Sequence, residues 1–296
     1  YYTGIDLHKK TSFITTIDKD GKIVTRANLQ NVEEDILAYF AKLGDETKIV
    51  IESMASWYWL YDLLTGEGFE VTISNPVKTK AIASAKIKND KVDSHMLAQL
   101  LRADLIATVH VSSLETRKLK DLLRHRSKLV RDATRMKNRI HMLLMKNNFS
   151  SPFSDLFGVK GLRYLEEIDL PDYHRQNVET YLLLYQKLRE QIEPLTKRVR
   201  ALAKENHTAQ LLMTIPGIGP ITAMFIIAEV DDISRFRSYR NLASYAGLVP
   251  SLDASAGKEK KGQDNKTRIP LPENCPGRGC PGCSQNEELP VEYLFP

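Results

Sequence analysis

Two carboxylates in this chain are carried by short apolar runs. Asp6 lies in Thr3-Gly4-Ile5-Asp6-Leu7 and Glu52 closes Lys48-Ile49-Val50-Ile51-Glu52, and both runs read as buried strands. Burying a charge in such a strand is costly unless something compensates it, so the fold must bring compensation to these two positions. Asp90 and Asp93 follow in Lys88-Asn89-Asp90-Lys91-Val92-Asp93-Ser94, three residues apart at a helix start and therefore on one face. Taken singly, each acid is an ordinary turn or cap residue, and Asp90 fits an N-cap. Taken in order, two strand acids and an i,i+3 pair supply oxygen ligands for two hard cations, Mg²⁺ or Mn²⁺. Two such ions about 4 Å apart clamp the attacking and leaving oxygens of a phosphate, which points to phosphodiester chemistry on nucleic acid.

The first 110 residues alternate strand and helix signals. Residues 11–17 and 22–29 flank Asp18-Lys19-Asp20-Gly21, a hairpin turn. Asn31 to Glu34 has the spacing of a capping box and opens an amphipathic helix to about Leu43. After the Glu52 strand come a helix ending at Gly68, a strand from Glu70 to Ser74 and another helix from Asn75-Pro76. Such an order describes a mixed sheet covered by helices, an α/β arrangement of the RNase H type.

From about Leu114 the pattern becomes that of long helices. Leu119, Leu122, Leu129, Ala133, Met136, Ile140 and Leu143 fall on a/d-type spacings interrupted by Arg126. Tyr181, Tyr185, Leu188, Ile192, Leu195, Val199 and Leu202 follow the same seam without interruption, so an antiparallel helical pair or an oligomerising coiled coil is expected. Pro194 should kink the second helix or mark its start. Phe149 to Pro171, with Gly158, Gly161 and Pro152, reads as a turn-rich connection.

Charge is concentrated in the first of these helices. Glu115 to Lys146 holds eleven Lys/Arg against three acids, a net +8, while the whole chain carries +5. The bland account is a solvated coiled-coil face; a local excess of this size is better matched by phosphate, with Arg124, Lys128, Arg131 and Arg135 as the contacts. Further on, Thr214-Ile215-Pro216-Gly217-Ile218-Gly219-Pro220-Ile221-Thr222-Ala223 reads as the turn of a helix-hairpin-helix. Gly217 and Gly219 would let backbone N–H groups approach a DNA phosphate at a helix N-terminus without reading sequence.

The four acids, together with Tyr245-Ala246-Gly247-Leu248-Val249-Pro250 and Asp253-Ala254-Ser255-Ala256-Gly257-Lys258-Glu259-Lys260-Lys261-Gly262, resemble the DEDD-type bacterial insertion-sequence transposases of the IS-one-ten group, from the first residues to about Gln263. The resemblance implies a RuvC-like N-terminal domain, a coiled-coil linker and a C-terminal transposase domain. In it Asp6, Glu52, Asp90 and Asp93 match the acidic set and Ser255 matches a nucleophilic serine that links covalently to DNA. It also implies DNA and a structured guide RNA as partners, and a homo-oligomer, dimer or tetramer. A serine hydroxyl is a weak nucleophile near neutral pH and needs activation. Lys258, Lys260 and Lys261 could stabilise the charge that develops at phosphorus.

The chain departs from this pattern after Gln263. One inserted base before codon 264 turns a family-like run of Ile-Thr-Lys-Gln-Gly and a following Leu-Arg into Asp264-Asn265-Lys266-Thr267-Arg268-Ile269-Pro270-Leu271-Pro272-Glu273. Residues 264–296 are therefore expected to be an out-of-frame, disordered tail. Cys275, Cys280 and Cys283 lie in it, but three cysteines without a fourth ligand make a poor zinc site.

The expected organisation is a RuvC-like catalytic domain over 1–110, a basic coiled-coil linker over 111–207, a truncated C-terminal domain with a helix-hairpin-helix over 208–263, and the tail. The absence of any long apolar run and the early Lys9 and Lys10 point away from membranes and towards the cytoplasm, beside the nucleoid. The expected activity is RNA-guided DNA recombination with two Mg²⁺ ions and Ser255. The alternatives are a nuclease or junction resolvase using the acids alone, and an inactive remnant that still binds nucleic acid.

Overall fold

The computed structural model describes residues 1–44, 46–53, 56–82, 89–248, 250–255 and 258–264, the last two stretches by their backbone. Two compact units are present, Tyr1–Val111 and Ser112–Pro296.

The first unit is built on strands β1 (Tyr2–Leu7), β2 (Thr11–Ile17), β3 (Ile23–Gln30), β4 (Lys48–Glu52) and β5 (Glu70–Ser74), with helices α1 (Glu33–Phe40), α2 (Trp57–Gly66), α3 (Pro76–Ile82) and α4 (Asp90–Arg102). The strands form one mixed sheet in the order β3-β2-β1-β4-β5. The β1/β2 and β2/β3 pairs are antiparallel, and the β1/β4 and β4/β5 pairs are parallel. This mixed α/β arrangement is consistent with an RNase H-like domain.

Strand alternation divides β1 between two faces. Ile5 and Leu7 join Ile14, Ile49, Ile51 and Ile73 in a core closed by Ile36, Phe40, Leu60 and Leu64 of α1 and α2. On the other face, Gly4 lets α4 lie directly on the strand. A β-carbon at Gly4 would collide with the Ser94 carbonyl oxygen and stand 2.6 Å from the Ala98 nitrogen. The hydroxyls of Thr15 and Ser94 hydrogen-bond across 2.8 Å and tie α4 to β2 as well.

The capping box expected at Asn31 is not formed. α1 begins after Val32 without a side-chain cap. Asn31 instead donates its amide to the His8 carbonyl at 2.8 Å and accepts the Ser12 hydroxyl at 2.6 Å. Those long-range partners outcompete the local one, and Glu33, Glu34 and Asp35 in the first turn suit the positive end of the helix instead.

The second unit contains α5 (Leu114–Lys146), α6 (Val159–Glu167), α7 (Asp172–Glu205), α8 (His207–Leu212), α9 (Pro220–Val230) and α10 (Tyr239–Tyr245), with a hairpin of β6 (Pro250–Ser255) and β7 (Lys258–Asp264). α5 and α7 run antiparallel: Asn147, just beyond α5, bonds to His174 early in α7, and Arg126 donates to Thr196 at 2.8 Å. Their apolar seam belongs to two cores. Ala133, Met136, Ile140 and Leu143 pack with Val178 and Tyr185 and with Leu156, Phe157 and Leu165. Leu123, Val199 and Ala203 pack with Ala209, Leu212 and α9.

Two expectations are corrected here. The connection between the long helices contains a helix of its own, α6, because Leu162 and Leu165 on one face have a core to enter. Pro194 does not start a helix, since α7 continues through it. The residue is exposed, so the Glu190 carbonyl that loses its donor can turn to water.

Candidate active site

Asp6 is 8% exposed on the α4 face of β1. The parallel register pairs Ile5 with Ile51, so Asp6 and Glu52 stand next along adjacent strands on the same face. The approach of α4 over Gly4 then delivers its N-terminal acids to this edge. Asn89 caps the helix by accepting the Val92 N–H at 2.9 Å, which makes Asp90 the first helical residue rather than the cap.

A residue absent from the sequence-based set completes the cluster. His8 Nε2 lies 3.4 Å from Asp6 Oδ2 and 3.3 Å from Asp90 Oδ2. Ligand atoms of Asp6, His8 and Asp90 all fall within 4.8 Å of one another. Glu52 and Asp93 lie outside that tight group but act on Asp6 through space. The signal for His8 was available: it follows Asp6 by two residues, and continuing the alternation of β1 one residue past its end at Leu7 gives both the same side.

Burial pushes the Asp6 carboxyl up to about 6; His8 opposes the shift, whereas Asp90, Asp93 and Glu52 add to it. A buried carboxylate crowded by three others and opposed by one imidazole calls for further positive charge, and that charge balance, with oxygen donors predominating, fits divalent cations.

In the second unit the four cations expected to meet nucleic acid separate into two groups. Lys128, Arg131 and Arg135 are exposed along α5, with Arg135 also paired to Asp132 at 2.7 Å. Arg124 instead donates to Glu229 Oε1 at 2.9 Å. Glu229 is 5% exposed on α9, and Lys120 lies 4.0 Å from its other oxygen. Burial holds the Lys120 ammonium below its ordinary value while Glu229 pulls it back up.

Gly217 adopts φ of +88°, a conformation suited to glycine, and Gly219 precedes Pro220, the first residue of α9. Among the described residues, apart from Gly219 and its chain neighbours, nothing lies within 4 Å of a β-carbon built on Gly219 at the start of α9. Ser255 closes β6 in register with Lys258, and Asp253 is in register with Lys260. The side chains of Ser255, Lys258, Lys260 and Lys261 lie outside the described residues, as do Cys275, Cys280, Cys283 and the rest of 265–296. Among the described residues no helix is long and apolar enough to cross a membrane.

Comparison with known proteins adds an independent line. Residues 3–148 match a transposase family model of the DEDD, IS110 type, and residues 209–268 match one described as "Transposase IS116/IS110/IS902 family". The second match ends five residues beyond Gln263. The chain is 26% identical over 273 residues to the transposase for insertion sequence element IS1328 of Yersinia enterocolitica, covering 90% of this chain and 80% of that protein. It is 26% identical over 266 residues to the transposase for insertion sequence element IS1111A of Coxiella burnetii, covering 86% and 70%. A shorter stretch of 72 residues is 38% identical to the mini-circle putative transposase for IS117 of Streptomyces coelicolor, covering 24% and 17%.

Proposed function

The chain belongs to the IS110 family of insertion-sequence transposases, enzymes that cut and join DNA, and on that premise we propose that Asp6, Glu52, Asp90 and Asp93 form the cation site of its strand-cutting reaction. The observation that carries this reading is the buried Asp6 carboxylate meeting Asp90 at the edge where β1 and α4 converge. A pair of Mg²⁺ or Mn²⁺ ions bound there would supply electrostatic stabilisation of the attacking and leaving phosphate oxygens. The protein's part is to hold four carboxylates in place: β1 and β4 fix two by register, and the Asn89 cap fixes the turn that presents the others.

In the same reading Ser255 is the nucleophile. Its Oγ attacks phosphorus, the 3′ oxygen leaves, and the serine proton passes to a base or to water. Lys258 and Lys260, which follow it on β7, supply positive charge for the phosphorane. Lys128, Arg131 and Arg135 neutralise backbone phosphates of DNA or of a guide RNA. The Gly217–Gly219 turn, in the role of a helix-hairpin-helix, holds a DNA phosphate at the start of α9. The α5/α7 pair serves as the coiled-coil linker of a homo-oligomer, a dimer or tetramer, acting in the cytoplasm on nucleoid DNA. Residues 264–296 are an out-of-frame replacement of the terminal helices.

The deciding experiment is DNA cleavage, with covalent protein–DNA adduct as a second readout, by the chain repaired by deleting one base before codon 264 and by its Asp6→Asn and Ser255→Ala variants. Loss of cleavage in both variants and loss of the adduct in Ser255→Ala supports the serine mechanism. Cleavage that survives Ser255→Ala but not Asp6→Asn identifies a nuclease working through the acids alone.

A further inference from the structure

The cluster at the end of β1 contains one donor that is not an oxygen. His8 Nε2 sits between Asp6 Oδ2 and Asp90 Oδ2, at 3.4 and 3.3 Å. Its position is built rather than incidental. The His8 N–H donates to the Thr11 carbonyl at 2.9 Å, and the His8 carbonyl accepts the Asn31 amide at 2.8 Å. Asn31 is held in turn by Ser12, so the backbone that presents the imidazole is fixed to β2 and to the segment entering α1.

An imidazole among carboxylates changes which cation a site prefers. Mg²⁺ requires near-ideal octahedral oxygen coordination and gives up its waters reluctantly. First-row transition cations accept imidazole nitrogen, with affinity rising from Mn²⁺ along the series. We infer that His8 is a direct ligand of one cation position in this site and makes that position select a transition-metal ion over Mg²⁺, while the remaining carboxylates serve either ion. The inference rests on the reading of the acids as a cation site and specifies the chemistry of one position within it.

The test uses the full chain and metal alone. Mn²⁺ and Mg²⁺ binding are measured by calorimetry, and electron spin-echo envelope modulation on the Mn²⁺ complex reports coordinated nitrogen. The wild type should bind Mn²⁺ more tightly than Mg²⁺ and show imidazole nitrogen coupling. His8→Ala should lose the coupling and at least about tenfold in Mn²⁺ affinity, since even outer-shell partners of metal ligands carry roughly 10- to 100-fold. Its Mg²⁺ affinity should change much less. His8→Asn, which keeps an oxygen donor of similar reach, should shift the preference towards Mg²⁺ and guards against a folding defect in the alanine variant. Metal binding without nitrogen coupling, or an equal loss of both ions in His8→Ala, overturns the role of His8 and leaves the acidic site standing. A wild-type chain that binds neither ion overturns the acidic site itself.

Discussion

Gly4 and Ser94 pack backbone against backbone: a β-carbon on the strand residue would collide with the carbonyl oxygen of the helix residue, so no side chain fits between them. This contact sets the height of α4 above the sheet, and thereby the distance from Asp90 and Asp93 to Asp6. Gly4→Ala should therefore act on fold and site together. We expect a loss of about 1–3 kcal/mol from overpacking, read by chemical denaturation. The stabilisation by Mn²⁺ or Mg²⁺ should weaken as well. A variant as stable and as metal-responsive as the wild type would show that α4 can shift without cost.

The Asp6 carboxyl gives a pH dependence with a definite sign. Its folded pKa, about 6, is above the ordinary 3.8, so the metal-free fold binds more protons than the unfolded chain between those values. Stability from this group is complete below about pH 4 and is lost as pH rises to about 6, by up to about 3 kcal/mol. Asp6→Asn should relieve much of that penalty without metal at pH 8. It should also remove the metal-induced rise in melting temperature, which in the wild type should be large at pH 8 and small at pH 5. A rise of equal size at both values would mean that the metal does not displace this proton.

Arg124 and the exposed cations of α5 should separate in a binding experiment. Lys128, Arg131 and Arg135 changed together to Gln should flatten the dependence of log affinity for duplex DNA on log salt, each neutralised phosphate contributing about 0.9 to the slope. Arg124→Gln should instead cost about 1–3 kcal/mol of stability, because it removes a charge-assisted bond to a buried carboxylate. Wild-type binding insensitive to salt would make the α5 face ordinary solvated surface. A stable Arg124→Gln protein with a flattened slope would return Arg124 to the nucleic-acid surface.

The proposal that residues 264–296 are out of frame has its own test. The wild-type chain should form little covalent protein–DNA adduct, since a nucleophile misplaced by 1 Å can lose about 100-fold in rate. Deleting one base before codon 264 should restore a Leu-Arg-bearing helix and adduct formation, and Ser255→Ala in that repaired chain should abolish it. Efficient Ser255-dependent adduct formation by the unrepaired chain would refute inactivation by frameshift.

Much of this protein is legible along the chain because the relevant physics is local. The apolar runs around Asp6 and Glu52 give strands because short continuous apolar stretches suit a strand buried on both faces, and the 119–143 and 181–202 seams give helices through a repeat near 3.5. The acids stand out because a charge in an apolar strand needs a reason. What the chain order could not supply was the identity of partners far apart in sequence. Asn31 has the spacing of a helix cap and serves His8 and Ser12 instead. Arg124 counts as one more cation in a basic helix until Glu229, 105 residues on, takes its guanidinium. Gly4 looks like an indifferent strand glycine until α4 lies across it, and that crossing is what brings Asp90, beside His8, to the strand carrying Asp6. Local patterns fix the conformation of a segment and the side each residue faces; which groups meet on that side is decided only when the core closes and the faces are pressed together.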